Sequence, residues 1–243
     1  MEDSGGLFNY KQAYINIGKL PCSLPELYFF KGEANMKIHD ITMLIHKDMP
    51  VYKNKEDKKP RLQEVSNHQT GNHHESRVYL DIHTGTHFDA PLHMVAGGDT
   101  IENIDLYNCI TPCKVFDLTN LESQITKADI EALDFGEGDF VIFKTRNSFS
   151  EEFDSNFVFI EKSAAEYLRD KKIKGVGIDA LGVERSQPGY ETHKALLGND
   201  ITVLEGLYLR DIEPGKYLLC ALPLKIKGAE GAPARAVLIE GLV

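Results

Sequence analysis

The chain has 243 residues, enough for one well-buried domain or at most two small ones. Its composition, 42% apolar and 26% charged, is ordinary for a soluble globular protein, and a formal charge of −10 argues against nucleic acid and anionic membrane surfaces as partners. No apolar run approaches the ~20 residues of a membrane helix, and the acidic start MEDSGG lacks the plan of a signal peptide, so a cytoplasmic enzyme with a small-molecule substrate is expected.

Residues 1–35 mix aromatics with Pro21 and Pro25 and keep no helical or strand period. They read as an N-terminal extension, either an over-called start ahead of a natural Met36 or an arm that packs on the core or a partner subunit. From Met36 the pattern alternates. Strands are expected near 37–45, 60–66, 76–83, 113–118, 139–145, 174–179, 201–204, 217–225 and 235–240. Helices are expected near 127–133 behind Thr126, near 161–171, and near 191–197 ending at Gly198. Segment 53–59 reads as a charged, solvated loop, and His39 as a residue on the exposed face of its strand. Many short strands with few helices predict an α/β domain over 36–243 with a central mixed sheet. Cys22, Cys109, Cys113 and Cys220 complete no zinc-ribbon pattern and are expected to be free thiols.

One stretch is far richer in metal-binding groups than any other. His83, His87 and His93 with Asp89 fall within eleven residues, interrupted by Gly85 and Pro91. Imidazole and carboxylate are the ligands that a borderline divalent ion takes. Gly85 permits a sharp turn and Pro91 argues against a continuous helix, so a strand ending near His83 and then a tight ligand-bearing loop is expected. Downstream, Glu205 sits among Ile201, Val203, Leu204 and Leu207, where a buried carboxylate needs a cation. His73 and His74 lie in a polar loop and read as solvated.

The run His83-x-Gly85-Thr86-His87-x-Asp89-x-Pro91-x-His93 resembles the signature of the cyclase-like metal-dependent hydrolases, a group that includes bacterial kynurenine formamidases and isatin-hydrolase-type enzymes. His193, followed by Glu205 after an apolar strand, resembles the second half of that pattern. The resemblance implies a swivelling β/β/α-type single domain, commonly a homodimer or tetramer. It implies two divalent metal ions, zinc first and manganese second. His83, His87 and Asp89 would bind one ion, His193 the other, with Asp89 and Glu205 bridging. His93 would serve as proton donor and acceptor rather than as a ligand.

The implied reaction is arylformamidase-like, as in kynurenine metabolism and tryptophan catabolism: metal-held hydroxide attacks an amide or formamide carbonyl, and His93 protonates the leaving nitrogen. The alternatives are a cyclic amide or lactone hydrolase with a mononuclear manganese or zinc site, and a non-catalytic metal-binding protein. Two departures bear on the substrate. Tyr52 stands where the formamidases carry Trp, followed by Lys53-Asn54 in place of Pro-Gly; a tyrosine still stacks on an aromatic substrate. Gly177-x-Asp179 is kept, but Glu184 replaces a second Asp, leaving Asp179 either to orient a ligand histidine or to cap a turn.

Overall fold

The computed structural model describes residues 36–242, and the expected extension over 1–35 lies outside them. The first half of the described chain forms β1 (Lys37–Asp40), β2 (Arg61–Ser66), β3 (Glu75–Tyr79), β4 (His87–Asp89), α1 (Leu106–Cys109) and β5 (Ile110–Asp117). Next come β6 (Gln124–Ile125), α2 (Lys127–Ile130), β7 (Phe140–Lys144), β8 (Phe159–Ile160) and α3 (Lys162–Asp170). The last are β9 (Gly175–Ile178), α4 (Glu191–Leu197), β10 (Thr202–Glu205), β11 (Gly215–Pro223) and β12 (Gly231–Glu240).

Local chemistry starts the helices where expected. Thr126 and Asp129 form a reciprocal capping box on α2. Glu161 accepts the Ser163 amide at the start of α3, and Ala164, Ala165 and Leu168 make its buried stripe.

Seven strands pair in the order β12-β11-β5-β7-β9-β10-β4, and β4 pairs back to β12, so the mixed sheet closes on itself. Strands β5, β7, β9 and β10 run parallel, while β4, β12 and β11 complete the circle antiparallel. One edge of β12 is shared: Gly231–Pro233 takes β4, and Val237–Glu240 takes β1. β2 and β3 form a separate hairpin. This is the mixed-sheet α/β domain expected, with closure added.

Three local expectations are corrected. The strand expected over 76–83 stops at Tyr79, and His87–Asp89, read as loop, is a buried strand hydrogen-bonded on both edges. Three residues are too few to show a period, and their partners lie more than a hundred positions away. His39 is not on the exposed face: its ring packs edge-on against Tyr217, while Ile38 is 57% exposed.

Alternation sorts the closed sheet into two cores. Phe88, Phe140, Ile142, Leu204 and Leu219 face one cluster inside the circle. Val141, Phe143, Val176, Ile178 and Val203 face the other, beneath α3 and α4. Since Phe88 and Leu204 point inward, their neighbours His87, Asp89 and Glu205 must point outward toward α4. The residue after Glu205 makes this possible. Gly206 has φ +66°, and a Cβ there would lie 2.1 Å from the Gly85 carbonyl oxygen. Gly206→Ala is expected to destabilise the protein by about 3 kcal/mol or more, seen as a fall of roughly 6–12 °C in Tm; an unchanged Tm would show that the two loops can part.

Candidate metal centre

Each side chain of the site is set by an element around it. Asp81 holds the turn that carries His83, accepting the His83 amide at 3.0 Å through Oδ1 and the Thr84 hydroxyl at 2.6 Å through its carbonyl. His87 and Asp89 stand on β4, and the register sets Glu205 of β10 directly opposite His87. His193 comes from α4, and His93 from the single turn Pro91–His93. Thus the two halves of the sequence pattern meet at the end of β10.

Second partners orient two of the imidazoles. His87 Nδ1 lies 2.8 Å from the Gly85 carbonyl, to which it donates, so in the neutral ring Nε2 carries the lone pair. That atom stands 3.5 Å from Asp89 Oδ1 and 3.2 Å from Glu205 Oε2. His193 Nδ1 donates to Glu184 Oε1 at 2.7 Å, leaving Nε2 3.5 Å from Asp89 Oδ2 and 3.4 Å from Glu205 Oε1. His83 Nδ1 is 2.8 Å from Asp89 Oδ1. The His93 ring lies 4.2 Å from that of His83 and 5.5 Å from that of His193, centroid to centroid.

These groups fit a metal. His87 Nε2 and both oxygens of Asp89 are buried with no hydrogen-bond partner, a cost of about 1–3 kcal/mol each if nothing else is bound. Asp89 Oδ1 and His83 Nδ1 are close enough to bond yet misaligned for it, as two atoms aimed at a shared point would be. Ligand atoms about 2 Å from one ion stand about 3 Å apart, matching the 2.8–3.5 Å separations here. The field agrees. Burial disfavours charge on His87, but Asp89 and Glu205 outweigh it and lift the imidazole to about 10. Burial also opposes charge on His193, and Asp89, Glu184 and Glu205 raise it well above the ordinary value. A pocket that holds protons this firmly attracts a cation in their place.

The remaining expectations divide. Tyr52 lines a cleft together with His83, His93, His193 and Glu205, its hydroxyl 2.7 Å from Ser186 Oγ. Asp179 orients no histidine: it accepts from the Thr145 and Ser148 amides and hydroxyls and anchors their turn. The carboxylate behind His193 is Glu184, which in the sequence stands out only as a replacement for Asp. An acid nine residues before a histidine is the only signal the sequence offers, and only folding brings the two together. His73 and His74 are exposed on the β2–β3 hairpin, and Cys109, Cys113 and Cys220 are free thiols, with Cys22 outside the described residues. Segment 53–59 is not simply solvated, since Lys53, Lys55 and Lys58 also line the cleft.

Glu184→Gln tests the support of His193. Glu184 Oε2 also accepts the Thr192 amide at 3.1 Å, so both oxygens are acceptors and an amide NH₂ cannot replace either. Metal affinity is expected to fall about 10–100-fold in a competition titration with the fold intact. Unchanged affinity would reduce Glu184 to a packing role.

Fold and site together define a metal-dependent hydrolase. The family model described as "Putative cyclase" matches residues 39–185, a span that contains His83, His87, Asp89 and His93 and ends before His193 and Glu205. The chain is 38% identical over 162 residues to a kynurenine formamidase from Salinibacter ruber, covering 65% of this chain and 76% of that one. It is 34% identical over 217 residues to cyclase-like protein 3 of Oryza sativa subsp. japonica, covering 84% and 80%. A solved "predicted metal-dependent hydrolase" from Bacillus stearothermophilus superposes with a TM-score of 0.78 at 52% identity, covering 84% of this chain and 98% of that one. The chain belongs to the cyclase family.

Proposed function

We propose that the enzyme cleaves the C–N bond of an amide or formamide as an arylformamidase does, with two divalent ions bound, zinc in first place and manganese in second. The observation that carries this reading is how Asp89 and Glu205 divide their oxygens. One oxygen of each faces His83 or His87, and the other faces His193. Carboxylates shared in this way suit two neighbouring ions. His83, His87 and Asp89 would hold one and His193 the other, with the carboxylates of Asp89 and Glu205 available to both. Imidazole and carboxylate accept several first-row metals, so availability weighs in the choice.

A divalent ion there supplies Lewis acidity, bringing the pKa of water near 7 and polarising the substrate carbonyl. His93 does the proton work. Burial pushes its imidazole below the ordinary value, so it is neutral at pH 7. It takes a proton from the attacking water and returns it to the departing nitrogen as the C–N bond breaks. Tyr52, held edge-on by Phe153 and Phe157, presents an aromatic wall for stacking.

The one-ion reading, for a cyclic amide or lactone, needs His193 turned away, whereas its Nε2 faces both carboxylates. Nothing in the site favours a non-catalytic role. A homo-oligomer is supported by the β2–β3 hairpin, where Leu62 is 75% and Val78 58% exposed. A cytoplasmic location rests on composition alone.

The test is metal content per chain, on protein purified without chelator, with N-formylkynurenine hydrolysis measured before and after metal removal. About two ions per chain and metal-dependent hydrolysis are expected. Two ions without that activity would turn the search to cyclic amides and lactones. No metal after reconstitution would overturn the site.

A further inference from the structure

Among the described residues, the cleft that holds the histidines has a cationic rim on a chain whose formal charge is −10. Three lysines line it, and they are not equivalent. Lys58 is 3.0 Å from Asp81 and is neutralised there. Lys53 and Lys55 have no carboxylate within 4.0 Å among the described residues. The acids of their own loop do not cancel them: Glu56 pairs with Lys59 at 2.6 Å, and neither Glu56 nor Asp57 lines the cleft. The two acids that do line it, Glu184 and Glu205, are buried and turned to the imidazoles.

The backbone also holds this rim in place. Lys53 adopts φ +58° and Asn54 φ +49°, a left-handed pair that ordinarily calls for glycine. Six non-glycine residues with positive φ occur among the described residues, and three of them, Lys53, Ser186 and Tyr190, line this one cleft. Strain gathered at a cleft is characteristic of sites where position matters. The Lys53 ammonium lies 5.3 Å from the centroid of the Tyr52 ring, which anchors it over the proposed stacking wall.

We propose that Lys53 and Lys55 form a carboxylate-binding subsite, so that the enzyme selects amides that carry a carboxylate beyond the ring or chain bearing the scissile bond. This rests on the amide-hydrolase reading above and deepens it. Two separate ammonium groups, with no arginine fork in the cleft lining, suit a singly charged carboxylate. The same charges draw anionic substrates toward the cleft from solution, against the repulsion of the acidic surface.

The experiment compares 3-formamidobenzoate with its neutral match, 3-formamidobenzamide, in the wild-type metalloenzyme, in Lys53→Gln/Lys55→Gln and in Lys53→Arg/Lys55→Arg. Wild type is expected to prefer the carboxylate by about tenfold in kcat/KM at low salt, with the preference shrinking as ionic strength rises. It should fall below about twofold in the glutamine variant and persist in the arginine variant. Equal kcat/KM for the two compounds in wild type, or a preference that the glutamine variant keeps, overturns the subsite and leaves the hydrolase reading standing. If neither amide is cleaved, the formamidase reading falls and binding decides the subsite. Benzoate should then stabilise wild type more than benzamide does in thermal shift, and the difference should vanish in the glutamine variant. Equal shifts in wild type, or a difference that survives the substitution, overturn it.

Discussion

His93→Ala is expected to lower kcat by about 10²–10⁴-fold, the contribution of one positioned proton-transfer group, with metal content unchanged. Its contacts set this histidine further out than the other three, although one of its ring nitrogens still lies within 4.8 Å of ligand atoms on His83 and Asp89. His83, His87 and His193 each bring a ring nitrogen within 2.8–3.5 Å of a carboxylate oxygen of Asp89 or Glu205. His93 brings none within 4.0 Å, yet its ring stands against those of His83 and His193. It borders the cleft and is neutral at pH 7, the state a general base requires. Added imidazole should restore part of the lost rate, which it would not do for a collapsed site. Loss of metal along with activity would make His93 a ligand.

The second large effect belongs to Glu205→Gln, which keeps the shape and removes the charge. Burial and Asp89 both oppose ionisation of Glu205, but His193 and His87 prevail and hold it well below the ordinary carboxylate range. Glutamine offers one oxygen where two are needed, and its NH₂ would face either His87 or His193. Metal affinity is expected to fall about 100-fold or more, beyond the usual loss for a residue that only supports a ligand. At a fixed free-metal level that saturates wild type, a loss of this size removes up to about 2.7 kcal/mol of linked stability. The gap in Tm between metal-loaded and chelated protein should therefore narrow sharply in the variant. The amide of Val183 donates to Glu205 Oε1 at 2.6 Å, and this contact can survive the substitution, so the fold should persist. An unchanged metal content would exclude Glu205 from the ligand set.

Much of this was legible in the chain before folding. The His83–His93 run carries its chemistry in one local window, and Glu205 betrays itself as a charge in an otherwise apolar strand. Strand and helix periods depend on neighbours in sequence, so α2, α3, α4 and most strands of the sheet fall close to their expected places.

What only the tertiary structure decided depends on partners far apart. His87–Asp89 is a strand because β10 and β12 offer it edges on both sides, and that pairing closes the sheet and points both ligands outward. Glu184 became the support of His193, and Asp179 the anchor of a turn, although the two acids lie only five positions apart and look alike in sequence. The lysine-rich segment 53–59 carries no sign of where its charges point; folding sets Lys53 and Lys55 on the lining of the cleft that holds the histidines, with no carboxylate within 4.0 Å among the described residues. Residue types and local spacing determine which chemistry the chain can carry. Closure of the backbone determines which of those groups share one space.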